Sequence, residues 1–263
     1  MTTVYDVYQL IQEKAPFELQ MSFDNAGFLV GRSDHLVSRI LIALDITETV
    51  IHEAIERGAE LIVSHHPVIW GGAKSVTDMS VTGSKLLLMI ENGISAICAH
   101  TNLDAVHGGV NDALAEKLGL AEIEQLHQDG VDVNGMPYGI GRVGVVPEQT
   151  LYDFALFVKE SLGSNGIRLV DGGRRVKKVA VGGGSCSNMI GDAIAKGCDT
   201  FVTSDVKYDG FLDAKAMGIN LIDAGHYPTE NVITPILQSW LSEQFPHLDV
   251  LVSADHCEVF SYL

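Results

Sequence analysis

The chain has 263 residues, 46% of them apolar, with 27 glycines and a formal net charge of −17. This length allows one large domain or two modest ones, and the glycine content fits an α/β protein rich in tight turns. The acidic balance argues against a nucleic-acid backbone or an anionic membrane as the main partner, and no apolar run approaches the ~18–20 residues of a membrane span.

Residues 1–8 lack the charged start and apolar run of a secretory signal. Cys98, Cys186, Cys198 and Cys257 show no CxxC spacing and read as small residues of a reducing cytoplasm. A cytoplasmic location is therefore expected. Phe23-Asp24-Asn25-Ala26-Gly27 reads as a turn before the first clear strand, residues 39–45 (RILIALD). A helix follows over 47–57, with Thr47 as its N-cap, Val50, Ile51, Ala54 and Ile55 on one face, and Gly58 as its stop. Next come a strand at 61–64, a helix at 84–91 ended by Gly93, a strand at 94–99 and a helix at 110–118. Strands separated by amphipathic helices predict right-handed βαβ units and mostly parallel sheets.

The rhythm breaks over 121–137, which is polar and carries the turn signals Asp129-Gly130 and Asn134-Gly135. The expected organisation is a first α/β half at 1–125, a linker at 126–137 and a second α/β half at 138–263. The C-terminal segment is a candidate to pack back on the first half. The second half reads as strands at 138–146, 167–170, 176–181, 200–203, 220–223 and 249–252. Its helices fall at 151–162, 189–196, 211–217 and up to 244. A faint repeat links 54–64 (AIERGAELIVS) to 193–203 (AIAKGCDTFVT), and 93–97 to 218–222. Two similar α/β halves are the simplest explanation.

Chemistry gathers at the strand ends, where open parallel sheets bind ligands. Ser64-His65-His66-Pro67 follows the apolar run Leu61-Ile62-Val63. Pro67 keeps His66 out of the helical region, and in an extended chain neighbouring side chains point to opposite sides. Two diverging imidazoles chelate one ion poorly but can each serve a different ion. His100, Thr101, Asn102 and Asp104 follow the strand at 94–99, Ser204 and Asp205 follow 200–203, and His226 and Glu230 follow 220–223. Imidazole and carboxylate donors without thiolate suit Zn, Fe, Mn, Co or Ni. His226 and Glu230 share either a first helical turn or a shaped loop, because Pro228 favours the former and Pro235 delays the main helix. Gly182-Gly183-Gly184-Ser185 is either a phosphate cradle or a tight strand-to-helix turn. His35, His52, His107, His127, His247 and His256 lack such company and read as surface or structural residues.

Together, Asp24-Asn25-Ala26-Gly27 with Val30-Gly31, Ser64-His65-His66-Pro67, His100-Thr101-Asn102-Leu103-Asp104, Gly182-Gly183-Gly184-Ser185, Thr203-Ser204-Asp205 with Tyr208, and Gly225-His226-Tyr227-Pro228-Thr229-Glu230 resemble the Nif3-like dinuclear-metal family, often labelled GTP cyclohydrolase 1 type 2 homologues. The resemblance implies two linked α/β domains, a toroidal homohexamer and two divalent ions per chain. It implies that His66, Asp104 and Glu230 hold one ion, and that His65, His226 and Glu230 hold the other. His100 would lie nearby as a supporting or proton-transfer group. The expected activity is that of a metal-dependent hydrolase or cyclohydrolase acting on a small molecule such as a nucleotide, with His100 or Asp205 moving protons. The rival expectation is a metal carrier or regulatory scaffold without turnover.

Overall fold

The computed structural model describes residues 1–133 and 135–263. The chain forms two units, Met1–Leu103 with Ile233–Cys257, and Asp104–Val232 with Glu258–Leu263.

In the first unit the sheet order is Asp249–Val252, Arg39–Ala43, Leu61–Ser64, Ser95–Cys98 and Gly27–Val30. Its first four strands run parallel and the last is antiparallel. Ile40, Leu41, Ile42, Leu61, Ile62, Val63 and Ile97 are fully buried. Strands covered on both faces carry continuous apolar runs, and these read that way in the sequence. Helix Glu48–Arg57 begins as expected, with Thr47 Oγ1 accepting from Val50 N at 3.2 Å, and ends at Gly58. Helix Val81–Glu91 starts earlier than its apolar pattern predicts, because the Ser80 hydroxyl caps it by accepting from Gly83 N at 3.0 Å. Parallel pairing brings the carboxyl ends of Leu61–Ser64 and Ser95–Cys98 to one edge.

In the second unit the order is Arg168–Val170, Asn220–Asp223, Thr200–Thr203, Val176–Val181, Arg142–Gln149 and Ala121–Gln125. The middle strands Asn220–Asp223, Thr200–Thr203 and Val176–Val181 are parallel, and the outer ones pair antiparallel. Each unit thus repeats one strand–helix–strand–helix–strand core. The sequence echo between 54–64 and 193–203 falls on equivalent helix–glycine–strand segments.

The expected linker is a correction. Ala121–Gln125 is an edge strand of the second sheet, and Gly130–Val131 pairs with Pro137–Tyr138. Its side chains are almost all exposed, so the short alternation of Ala121, Glu122, Ile123 and Glu124 marks no buried face to read. The boundary lies at Leu103/Asp104 rather than in 126–137. Asn134, part of one expected turn, lies outside the described residues. The alternatives for His226 to Glu230 are resolved as a separate one-turn helix, followed by Asn231–Ile233 and by Thr234–Gln244 with Pro235 in its first turn. Among the described residues no helix is long and apolar enough to cross a membrane.

Candidate metal centre

In the first unit, His65 and His66 leave strand Leu61–Ser64 at a bend. His66 N donates to Leu44 O at 2.9 Å, and the Cys98 thiol donates to His65 O at 2.9 Å. The bend keeps the rings from pointing apart as an extended chain would send them. Their centroids are 5.0 Å apart, and His100 joins them at 5.1 and 5.4 Å. One ligand atom from each ring lies within 4.8 Å of the others.

Each of these rings is held from behind. His65 Nδ1 lies 2.8 Å from Ala99 O, His66 Nδ1 2.8 Å from Asp45 Oδ1, and His100 Nδ1 2.8 Å from Asp24 Oδ1. An oxygen acceptor at Nδ1 fixes the proton there and makes Nε2 the basic nitrogen. Asp24 also accepts from Thr101 N at 3.0 Å and from the Thr101 hydroxyl. Burial works against the Asp24 charge, but the hydrogen bonds from His100 and Thr101 outweigh it and hold the carboxyl well below its ordinary range. The same balance holds at Asp45, where His256 and His66 outweigh burial. The half-exposed ring of Trp70 stands edge-on to His100 at 5.2 Å.

A pH prediction follows from Asp24. A carboxyl depressed on folding stabilises the native state above its unfolded pKa, near 4, and loses that contribution as pH falls through its folded pKa. Metal-free protein is expected to lose stability below about pH 4. Asp24→Asn should flatten that part of the curve, measured as denaturation midpoint against pH. An unchanged acid slope in the variant would show that Asp24 does not contribute.

In the second unit, Asp104 and Glu230 are buried, with carboxylate oxygens within 4.8 Å of each other. Asn111 ties Asp104 down, donating from Nδ2 to its carbonyl at 2.9 Å while accepting from Gly183 N at 3.0 Å. His226 sits between two carboxylates, with Nδ1 2.7 Å from Asp205 Oδ2 and Nε2 2.8 Å from Glu230 Oε2. Burial opposes charge on this ring, but Asp205 and Glu230 overcome it and push its pKa up to about 11. Burial and the nearby Asp104 and Glu230 charges likewise push the Cys186 thiol up, and it donates to Gly183 O at 3.2 Å. Asp205 takes the left-handed conformation, φ 53°, which Asp tolerates better than most residues and which turns the chain sharply after Thr203.

The backbone amides of the three glycines in the turn are already engaged. The amides of Gly182, Gly183, Gly184 and Cys186 donate internally, to Val202 O, Asn111 Oδ1, Thr229 Oγ1 and Gly184 O. Its second role is room. A Cβ on Gly184 would stand 2.0 Å from Glu230 Oε1.

The structure thus brings His65, His66 and His100 together in one unit, and Asp104, Asp205, His226 and Glu230 at one sheet edge in the other. Sequence reasoning missed Asp45 and His256. Asp45 closes the run RILIALD, so the strand-end rule that selected the candidate site residues would have found it. His256 reads as isolated, yet its ring is only 6% exposed and lies on Asp45. Nitrogen donors oriented through Nδ1, with buried carboxylates at 104 and 230, are the donor chemistry of divalent transition-metal sites. These residues fit such ions.

The comparisons with known proteins place the chain in a family. A Clostridium perfringens protein named GTP cyclohydrolase 1 type 2 homolog is 39% identical over 227 residues, covering 86% of each chain. A Clostridium acetobutylicum protein of the same name is 33% identical and covers 98% of both chains. Among solved structures, a Bacillus cereus protein related to NIF3 matches with a TM-score of 0.94 and 27% identity, over 100% of this chain and 99% of that one. The model of the Duf34/NIF3 (NGG1p interacting factor 3) family matches residues 2–258. On this full-length agreement, the chain belongs to the Duf34/NIF3 family.

Proposed function

We propose that the chain binds two divalent metal ions and catalyses hydrolysis or ring opening of a nucleotide-like or phosphorylated small molecule. In this reading His66, Asp104 and Glu230 hold one ion, and His65, His226 and Glu230 hold the other. The observation that carries it is the common tethering of the histidines. Nδ1 of His65, His66 and His226 each rests on an oxygen acceptor, which orients Nε2 as the donor atom. Divalent ions supply Lewis acidity that acidifies water at neutral pH. His100, braced by Asp24, accepts or returns a proton at Nε2, and Asp205 holds the His226 ring in orientation. The name shared by the two Clostridium relatives supports a cyclohydrolase-like reaction class.

Elemental analysis of purified protein is expected to give close to two ions per chain, and His66→Ala should lose at least one. Full metal content in that variant would refute the assignment. Incubation with a panel of nucleotides and phosphoesters is expected to show turnover that Glu230→Gln removes.

One observation favours a second reading, a metal carrier without turnover. The amides of Gly182, Gly183 and Gly184 are engaged internally, so these three do not offer themselves to a phosphate. Absence of turnover across the panel, with ready metal transfer to an acceptor protein, would support the carrier.

A further inference from the structure

We infer that His256, near the C-terminus, is a positioning residue for the metal ligand His66, acting through Asp45. The inference rests on the metal-binding reading above and adds to it a part of the chain that no motif marks.

The geometry is a continuous series of contacts within the first unit. Strand Asp249–Val252 pairs with the edge of Arg39–Ala43, and Ser253 N donates to Ile42 O at 2.7 Å. Past that strand the chain is captured by Glu53, a buried carboxylate on helix Glu48–Arg57. Glu53 accepts from the Ser253 hydroxyl, from Ala254 N at 2.9 Å and from Asp255 N at 3.3 Å, while Arg57 balances its charge at 2.9 Å. His256 N then donates to Ser253 Oγ at 3.1 Å, which directs the ring inward. Its Nε2 accepts from Asp45 N at 3.2 Å and lies 3.1 Å from Asp45 Oδ2. The other Asp45 oxygen, Oδ1, receives His66 Nδ1 at 2.8 Å.

Asp45 therefore has one imidazole on each oxygen. This matters because the Asp45 side chain is 42% exposed. A carboxylate at that exposure, held on one oxygen only, can rotate into water and share its acceptor lone pairs with solvent. An imidazole held against the second oxygen and the Asp45 amide limits that rotation, and with it the direction in which the His66 ring presents Nε2. Groups that orient a ligating histidine in this way typically change metal affinity by about 10–100-fold when removed. Glu53 acts one step further out, because its buried carboxylate binds three successive residues and so holds the segment that delivers His256.

The test is a Co2+ titration of metal-free protein by calorimetry, with the visible ligand-field spectrum recorded alongside, on wild type, His256→Ala and His256→Gln. Gln retains an N–H that can reach Asp45. The expected result is two Co2+ per wild-type chain. In His256→Ala one of the two should bind at least about tenfold more weakly with an altered spectrum. The other should stay within about twofold, and Gln should recover most of the loss. Unchanged binding of both ions in His256→Ala would overturn the inference while leaving the metal reading intact. So would equal weakening of both ions, or a Gln variant as weak as Ala, since either assigns the segment a structural role only. A wild-type chain that binds no Co2+ would overturn the metal reading, and this inference with it.

Discussion

Replacing Arg142 with Met is expected to destabilise the protein by about 3–5 kcal/mol, the usual cost of leaving one member of a buried ion pair without the other. Arg142 and Asp112 have side chains only 3% and 7% exposed. The guanidinium meets the carboxylate through two bonds, Nε to Oδ1 at 2.8 Å and Nη2 to Oδ2 at 2.9 Å. Its remaining N–H groups donate to Val106 O, Gly139 O and Gly141 O at 2.9 to 3.0 Å. All five donors are used, so the loss exposes a buried negative charge and three carbonyls at once. Lys cannot reproduce the fork, and Arg142→Lys should recover little. The double variant Arg142→Met with Asp112→Leu should recover much of the loss, because a well-packed apolar pair replaces a buried ion pair at little cost. Urea denaturation of the three variants decides the matter. A single variant within about 1 kcal/mol of wild type would mean that water satisfies the site. Since whole-domain stabilities are about 5–15 kcal/mol, the predicted loss is a large share of the total. Arg142 joins the 106–112 segment to strand Arg142–Gln149, so the same loss would loosen Asn111 and, through it, Asp104.

What could be read without coordinates follows from where each signal is local. His65 and His66 stand directly after a four-residue apolar strand, and His100 directly after another, so period and position together marked them. Thr47 and Gly58 carry helix boundaries in their own chemistry. The strand Ala121–Gln125 was illegible because it lies at a sheet edge, with its side chains in water and its role defined only by pairing to Arg142–Gln149. Arg142 was illegible for a different reason. A charged residue in a strand reads as a solvated one until Asp112, thirty positions away, is known to meet it. His256 depends on contacts across about two hundred residues, to Asp45 and by way of Glu53. Partners brought together only by tertiary structure leave no spacing to find.

The glycine turn shows how a motif can be legible while its purpose is not, and it supplies the sharpest test of the role proposed for Glu230. Gly184→Ala is expected to lower metal affinity at least about tenfold, by moving a ligand whose orientation sets binding. Two effects act on this variant. Gly184 has φ 63°, so any Cβ there costs about 1–2 kcal/mol of backbone strain. The new methyl would also lie 2.0 Å from Glu230 Oε1, 2.9 Å from its Cδ and 3.3 Å from His226 Nε2. The carboxylate must yield, and being buried beside Asp104 it has no solvated alternative that keeps it at hand for an ion. Gly163→Ala separates the two effects. Gly163 has φ 65° and nothing within 4 Å of its would-be Cβ, so that variant incurs the strain alone. It should melt at a lower temperature yet bind metal like wild type, whereas Gly184→Ala should lose both stability and metal. If Gly184→Ala retained its full metal content, the proposal that Glu230 is a ligand would fail, since the new methyl displaces its carboxylate oxygen.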